Sequence, residues 1–514
     1  MTTTRPAAAF RAAIPSLAVV DDATECAVQS ADISGPALHP ALAILSPATE
    51  DDLVAIVRVA RQKGIALHPR GGGWSYTAGY RPQRSPAVLV DSSRFSAIAI
   101  QRESNTVTTG AGVTWGALHT ALEEAGLRAT SFGPLSGIGA TIGGSAAQNG
   151  GFFGTAGYGA MGDGAVCGGT MVNGAGHLVQ FGPTDRTDGI AAPQPLVGDC
   201  GAFGIRSSVT LRIIPRPSGT AFASFNFATG ATALSVLAGL AGLPCLGEAY
   251  MFDPGSHANL ARSGFSVIET ATMAGDLLAA KGGLLGRIGG LIRTARAGRA
   301  FVADLAWSLH LALDGTPAEI AATLAIVVRR VAEAGGEVIP DIIPRVTRAR
   351  PFRRIKALLG PDGESWLPVH GVFAPECAQA GLAGVQAELA QASDVMAKAG
   401  LRAVLLAVLM GSRVVIEPQL FWPDALSAVH RRMAQPDQVA AYAARPANEA
   451  ARAVAHAVRL RLIAALDAAG ASHFQIGRSY AGHPGVPPEA RRHWAALKTR
   501  HDPDGIMNPG ALGL

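Results

Sequence analysis

Leu53, Ile56, Val57 and Ala60 recur three and four apart, the spacing of one buried helix face. Ser46-Pro47 just ahead of them predicts an N-cap and first turn, Glu50 and Asp51 suit the positive end of the helix dipole, and Gly64 predicts the stop. A strand at 65–68 follows, then strands at 87–91 and 107–109, and a helix capped by Thr114 that runs through Leu122 to Ala125. Strands are expected again at 177–181 and at 205–214, where Val209, Leu211 and Ile213 alternate with polar residues. Beyond Pro215-Arg216-Pro217 the pattern changes to long alanine-rich helices, each followed by a strand: 316–334 then 337–339, 377–399 then 402–410, and 448–469 then 473–476. Such repetition predicts an α+β fold in which an antiparallel sheet is covered by helices. The boundaries follow: an N-terminal extension at 1–39, a first domain at 40–217, a second at 218–470, and a segment at 471–514 that returns to the first.

Composition sharpens this picture at one place. Of 62 glycines in 514 residues, 26 fall within 64–182. They keep no three-residue period, which excludes collagen, and only 16% of residues are charged, which excludes intrinsic disorder. Basic residues outnumber acidic ones 43 to 38, and aromatics are 6% of the chain, so no nucleic-acid partner is expected. The densest basic stretch, 345–356, reads as a solvated loop. Five scattered cysteines without a CxxC pair suggest neither a disulfide framework nor a metal site, and reduced thiols fit a cytoplasmic protein. The first residues make a poor signal peptide, and no apolar run approaches the ~18 residues of a membrane span. Residues 281–299 alternate Leu, Ile and Gly with Arg, which predicts a covering loop or helix with its basic face in solvent, with peripheral membrane association as the alternative.

Consecutive glycines let backbone N–H groups converge on an anion, so a dinucleotide is the natural ligand of 64–182. The Rossmann test fails: Gly157, Gly159 and Gly162 form a GxGxxG, but glycine-rich chain precedes it rather than an apolar strand. No GxxxxGK[ST] occurs either.

Four segments, HPRGGGWSYTAGY (68–80), GPLSGIGATIGGSAAQNGGFFGTAGYGAMGD (133–163), GDCGAFGIRSSVTL (198–211) and LKTRHDPDGIMNPGAL (497–512), resemble in order and spacing the successive signatures of the vanillyl-alcohol oxidase / p-cresol methylhydroxylase (PCMH) flavoprotein superfamily. The resemblance implies a PCMH-type FAD-binding domain followed by an α+β cap, or substrate, domain. It implies that Pro69, Arg70, Gly71, Gly72, Gly73, Trp74 and Ser75 hold the FAD diphosphate, largely through backbone N–H. Pro134, Leu135, Ser136, Gly139, Thr141, Ile142, Gly143 and Gly144 would pass along the ribityl chain and pyrophosphate, Gly204 and Ile205 would sit near the adenine end, and the turn at Asn508 would return to the flavin.

The chain also departs from its relatives. Many carry a flavin-linked histidine after the loop glycines, where Trp74 stands here, and the berberine-bridge-like cysteine is absent from 133–144. WLPVHGVFAP (366–375) resembles the cap segment through which vanillyl-alcohol oxidase attaches FAD, which would put His370 at the flavin edge; a buried histidine between strands fits equally well. Asp163 matches the position of an acid beside the reactive flavin nitrogen, with capping of the next turn as the plainer role. Arg478 and Tyr480, two apart on an expected strand, would project from one face and bind a substrate oxygen or carboxylate. Glu417 is a further cap-domain acid that would face the site or pair with an arginine. The HxGDGNxH-like metal motif of the glycolate/D-lactate dehydrogenase branch is missing, so no metal is expected. The expected function is FAD-dependent oxidation of an alcohol, hydroxy acid or benzylic carbon by hydride transfer, with reoxidation by oxygen, a quinone or a cytochrome, in a homo-oligomer. A flavin-dependent reductase of nucleotide-sugar type and a catalytically silent nucleotide-binding protein stay open as alternatives.

Overall fold

Thr49 rather than Ser46 opens the first long helix. Its side chain accepts from the Asp52 N–H, Asp52 answers through the Thr49 N–H, and the helix runs Glu50–Lys63 to a left-handed Gly64. Ser46 belongs instead to a strand, Ile44–Ser46, because Leu45 is needed in the core beneath the helix. A computed structural model describes residues 6–181, 197–262, 305–349, 351–352, 358–480 and 486–514; residues 281–299 lie outside these.

The first lobe holds two sheets. The smaller has the order Ala18–Val20, Ile44–Ser46, Ala87–Asp91, Ala66–Arg70, the last three parallel. Its first strand comes from the expected N-terminal extension, whose Phe10 and Leu17 share the core with Leu53 and Ile56. Met507 makes a parallel bridge to Leu67 on the far edge, where Leu67 N–H donates to the Ile506 carbonyl and Asn508 N–H to the Leu67 carbonyl. The second sheet runs Ile98–Gln101, Thr106–Gly110, Gly204–Pro215, Val166–Asn173, Leu178–Phe181, all antiparallel, with Leu127–Ala129 also on Gly204–Pro215.

The second lobe is an antiparallel sheet of eight strands in the order Glu337–Ile339, Gly219–Phe227, Trp307–Gly315, Leu246–Phe252, Arg402–Met410, Arg413–Trp422, Ser365–Pro368, with Gly371–Phe373 also on Arg413–Trp422. Leu405, Ala407, Leu409, Val414, Ile416 and Leu420 turn one face toward helices that include Gly230–Gly239, Pro317–Glu333, Ala378–Gln391 and Glu449–Ala468. The alternate residues of the same strands face the first lobe.

Three expectations change. The helix expected over 377–399 is two, Ala378–Gln391 and Ser393–Lys398, meeting at Ala392. Residues 473–476 form no strand: Gln475 and Gly477 take left-handed φ of 50° and 51°, and the chain turns there. Residues 345–349 of the basic stretch belong to a helix, Ile342–Ala349, and its largely buried Arg348 pairs with Glu248 and Asp314 instead of being solvated. Among the described residues no helix is long and apolar enough to cross a membrane.

Candidate functional site

Between the lobes lies a cavity of about 890 Å³. Its floor is the glycine loop, residues 69–76, which leaves the strand Ala66–Arg70, together with parts of 134–151 and 200–206. Gly73 has φ of 80°, a conformation that side chains resist. The loop sits directly on the following turn: a Cβ on Gly72 would meet the Gly139 carbonyl, and one on Gly71 would meet Thr141. Asp32, from the N-terminal segment, holds the loop's exit by accepting from Ser75 Oγ (3.0 Å) and Ala78 N–H (2.7 Å). Tyr80 adds hydrogen bonds to the Ala31 and Gly73 carbonyls.

This floor suits a dinucleotide diphosphate. The amide N–H groups of residues 71–76 have no acceptor among the described residues, so six consecutive donors stand ready, beside the Arg70 guanidinium whose Nε is buried and unpartnered there. The cradle is closed below by backbone that no side chain could replace without parting the two loops.

The ceiling is the free face of the cap sheet. Val404, Leu406, Val408 and Met410 alternate along one strand, and Val415, Glu417, Gln419 and Phe421 along its antiparallel neighbour. Register places Leu406 opposite Glu417, Phe252 beyond Leu406, and Trp366 beside Phe421. Glu417 and Gln419 are therefore neighbours on a surface otherwise apolar. Trp366 Nε1–H donates to Gln419 Oε1 (3.1 Å), and Gln419 Nε2–H donates to Glu417 Oε1 (2.6 Å). Burial raises the Glu417 pKa to about 7, with the Gln419 hydrogen bond pulling the other way. From the floor, Tyr76 also lines the cavity; burial and the nearby Glu417 and Tyr480 hold its phenol protonated, and it hydrogen-bonds Gln475.

Of the expected cofactor residues, residues 69–75, Pro134, Leu135, Ser136, Thr141, Gly143, Gly144, Gly204 and Ile205 line this one cavity. Gly139 backs it, packed against the Trp74 ring, and Ile142 is core. Asn508 is buried behind the floor, its amide donating to the Gly79 and Cys200 carbonyls while its oxygen meets His68 Nδ1 and Arg478. His370 does not line the cavity; its ring stacks on Phe474 at 4.4 Å and lies edge-on to Tyr76, both of which do, and neither ring nitrogen has a partner among the described residues. Burial and His473 push its pKa well below the usual value.

The expected catalytic residues divide. Glu417 is in the cavity. Asp163 is exposed and accepts the Ala160 N–H (2.8 Å). Arg478 is spent on the carbonyls of Ala78, Gly79 and Pro509 and on Asn508, and burial lowers its pKa to about 10. Tyr480 accepts the His370 N–H and stacks on His473 at 4.3 Å. Because 476–480 is a turn, Arg478 and Tyr480 do not share a strand face. Sequence reasoning passed over Asp32, Tyr76, Trp366 and Gln419. The parity of VVIEPQLFW (414–422), which sets Glu417 and Gln419 on one face with Val415 and Phe421, is the signal that could have found the last.

The FAD binding domain family matches residues 41–182, the segment that supplies most of the cradle. FAD-linked oxidoreductase afoF of Emericella nidulans is 30% identical over 178 residues, 34% of this chain and 35% of that protein. The alignment thus spans about a third of the relative's length. Two solved structures share the whole fold: 4-ethylphenol oxidase from Gulosibacter chungangensis in an isoeugenol complex (TM-score 0.69, 17% identity, 99% of this chain and 96% of that one) and substrate-bound p-cresol methylhydroxylase (TM-score 0.69, 16% identity, 99% and 96%). Cradle and family match make this an FAD-binding protein. The two-lobed fold is that of 4-ethylphenol oxidase and p-cresol methylhydroxylase, in keeping with the resemblance carried by the four glycine-rich segments.

Proposed function

We propose that the protein is an FAD-dependent oxidoreductase acting on an alcohol or benzylic C–H of a small organic substrate held between Tyr76 and the cap sheet. The observation that carries this is the single cavity shared by the FAD cradle and by Glu417, an acid with a pKa of about 7 on an apolar face. The kinship with FAD-linked oxidoreductase afoF supports the same class. Bound FAD supplies the acceptor for the C–H electron pair, released later to oxygen, a quinone or a cytochrome. The chain supplies the rest. Ionised Glu417 takes the hydroxyl proton as the C=O bond forms, Gln419 fixes the carboxylate's orientation, and neutral Tyr76 donates a hydrogen bond to the substrate oxygen.

Anaerobic mixing of the flavin-loaded protein with alcohols and benzylic compounds tests the reading: absorbance near about 450 nm should bleach with a substrate. A protein that carries no flavin, or flavin that no compound of either class reduces, would refute it. A covalent link from His370 to the flavin is a separate proposal, which requires Tyr76 and Phe474 to admit the ring. Acid precipitation should then leave yellow colour with the protein, and His370→Ala should release it; free flavin in the wild-type supernatant ends that idea.

A further inference from the structure

We propose that the substrate is an uncharged, elongated, lipophilic alcohol and not a carboxylate; this rests on the oxidoreductase reading and narrows it. The ceiling gives the character. Val404, Leu406, Val408 and Met410 line the cavity on alternate positions, an apolar strip of ~20 Å at ~3.3 Å per residue, which cofactor and substrate share. Beyond the Glu417 row the wall continues through Phe421, Leu358, Leu359, Pro361 and Tyr442, which favour an apolar extension.

Charge gives the rest. The carboxyls on the cavity's cap side are Glu417 and Asp437, and among the described residues no Lys, Arg or His joins them there. The arginines nearest that face are engaged elsewhere: Arg402 by Glu364 and Asn259, Arg348 by Glu248 and Asp314. A carboxylate at the cap side of this chamber would lose its hydration, meet Glu417, and gain no cation among the described residues there. On the sheet itself the polar groups are Glu417 and Gln419, with Ser256, Asn259, Thr347 and Gln438 spaced along the walls. A single hydroxyl is matched by that pair, and Gln438 Oε1, buried on the wall without a partner among the described residues, accepts one donor farther along.

The test uses the flavin-loaded protein and three matched pairs: benzyl alcohol with benzoate, cinnamyl alcohol with cinnamate, and biphenyl-4-methanol with biphenyl-4-carboxylate. Dissociation constants come from flavin difference spectra and thermal shift, which need no turnover. At pH 8 each alcohol should bind at least tenfold tighter than its carboxylate, and affinity should rise with length. At pH 6 the gap should narrow, because Glu417 is then protonated; the titratable groups that reach it, the Tyr76 and Tyr480 phenols, keep their protons throughout. Glu417→Gln should abolish that pH dependence. Carboxylates that bind as well as alcohols at pH 8, or affinity that does not grow with length, would overturn the proposal. Alcohols that bind in the expected order without bleaching the flavin would leave the binding preference standing and remove the oxidoreductase reading; a hydroxy acid such as mandelate that binds as tightly and bleaches the flavin would do the reverse.

Discussion

Asp32 stands outside every glycine motif, yet its carboxylate accepts from Ser34 twice, from Ser75 and from Ala78, fixing the point where the glycine loop leaves the cradle. Hydrogen bonds to a buried charge contribute roughly 1.5–3 kcal/mol. Asp32→Ala should therefore loosen residues 73–78 and weaken FAD retention about 10- to 100-fold, converting at 1.36 kcal/mol per decade. Flavin fluorescence in the filtrate after ultrafiltration reads this directly, and wild-type retention would show that the loop holds itself. Glu417 makes a prediction of opposite kind. Its folded pKa is raised to about 7, so the folded chain keeps a proton that the unfolded chain has already released. Stability consequently falls as pH rises from the ordinary carboxyl range to 7, then levels off. Glu417→Gln should raise the melting temperature relative to wild type at pH 8 and leave it little changed at pH 5. Equal increments at both values would mean that the carboxyl titrates normally.

Among the elements, the glycine loop and the turn after it act as one unit, since neither admits a side chain toward the other. Gly72→Ala should cost flavin binding while the cap sheet keeps its near-ultraviolet circular dichroism, because the clash with the Gly139 carbonyl is confined to the cradle. Much at this scale was legible beforehand. Gly64 terminates and Thr114 caps a helix as the sequence suggested, because caps are local chemistry, and the helices expected from 316 and 448 begin there on Thr316 and Asn448 caps. Ser46-Pro47 misled for the opposite reason: the cap was plausible, but Leu45 was needed in a sheet, and tertiary burial won. HFQI (473–476) alternates as a strand should, yet Gln475 N–H donates to the Gln148 carbonyl and the Arg478 side chain to carbonyls of 78 and 79, so the backbone turns to meet the other lobe. The site residues followed the same rule. Loop glycines of the cavity showed in the sequence because a run of glycines is legible by itself; Tyr76, Gln419 and Trp366 did not, because only the packing of two lobes brings them to the same cavity.

At the scale of the molecule, the lobes are riveted by charge. Arg128 of the first lobe pairs with Asp314 of the cap at 2.5 Å, Arg348 bridges Asp314 and Glu248, and both guanidinium groups lie about the Phe132 ring at 4.9 Å. Glu248 also accepts the Gly154 N–H from the first lobe. Removing Arg128 leaves Arg348 alone against two buried acids, an imbalance that costs up to about 3–5 kcal/mol. Arg128→Met should thus lower the melting temperature and separate one thermal transition into two; a single unshifted transition would show that the apolar contacts suffice. The edge pairing of residues 506–508 with Leu67 carries a different implication, one of timing. The strand that launches the glycine loop is completed by chain made more than 400 residues later, and Asn508 ties that late segment to Gly79 and Cys200. On the ribosome the cradle must wait, half-edged, until residues 506–508 have emerged behind the cap sheet. Cofactor capture thereby follows synthesis of the cap, and flavin uptake becomes a report that both lobes have already been made and joined.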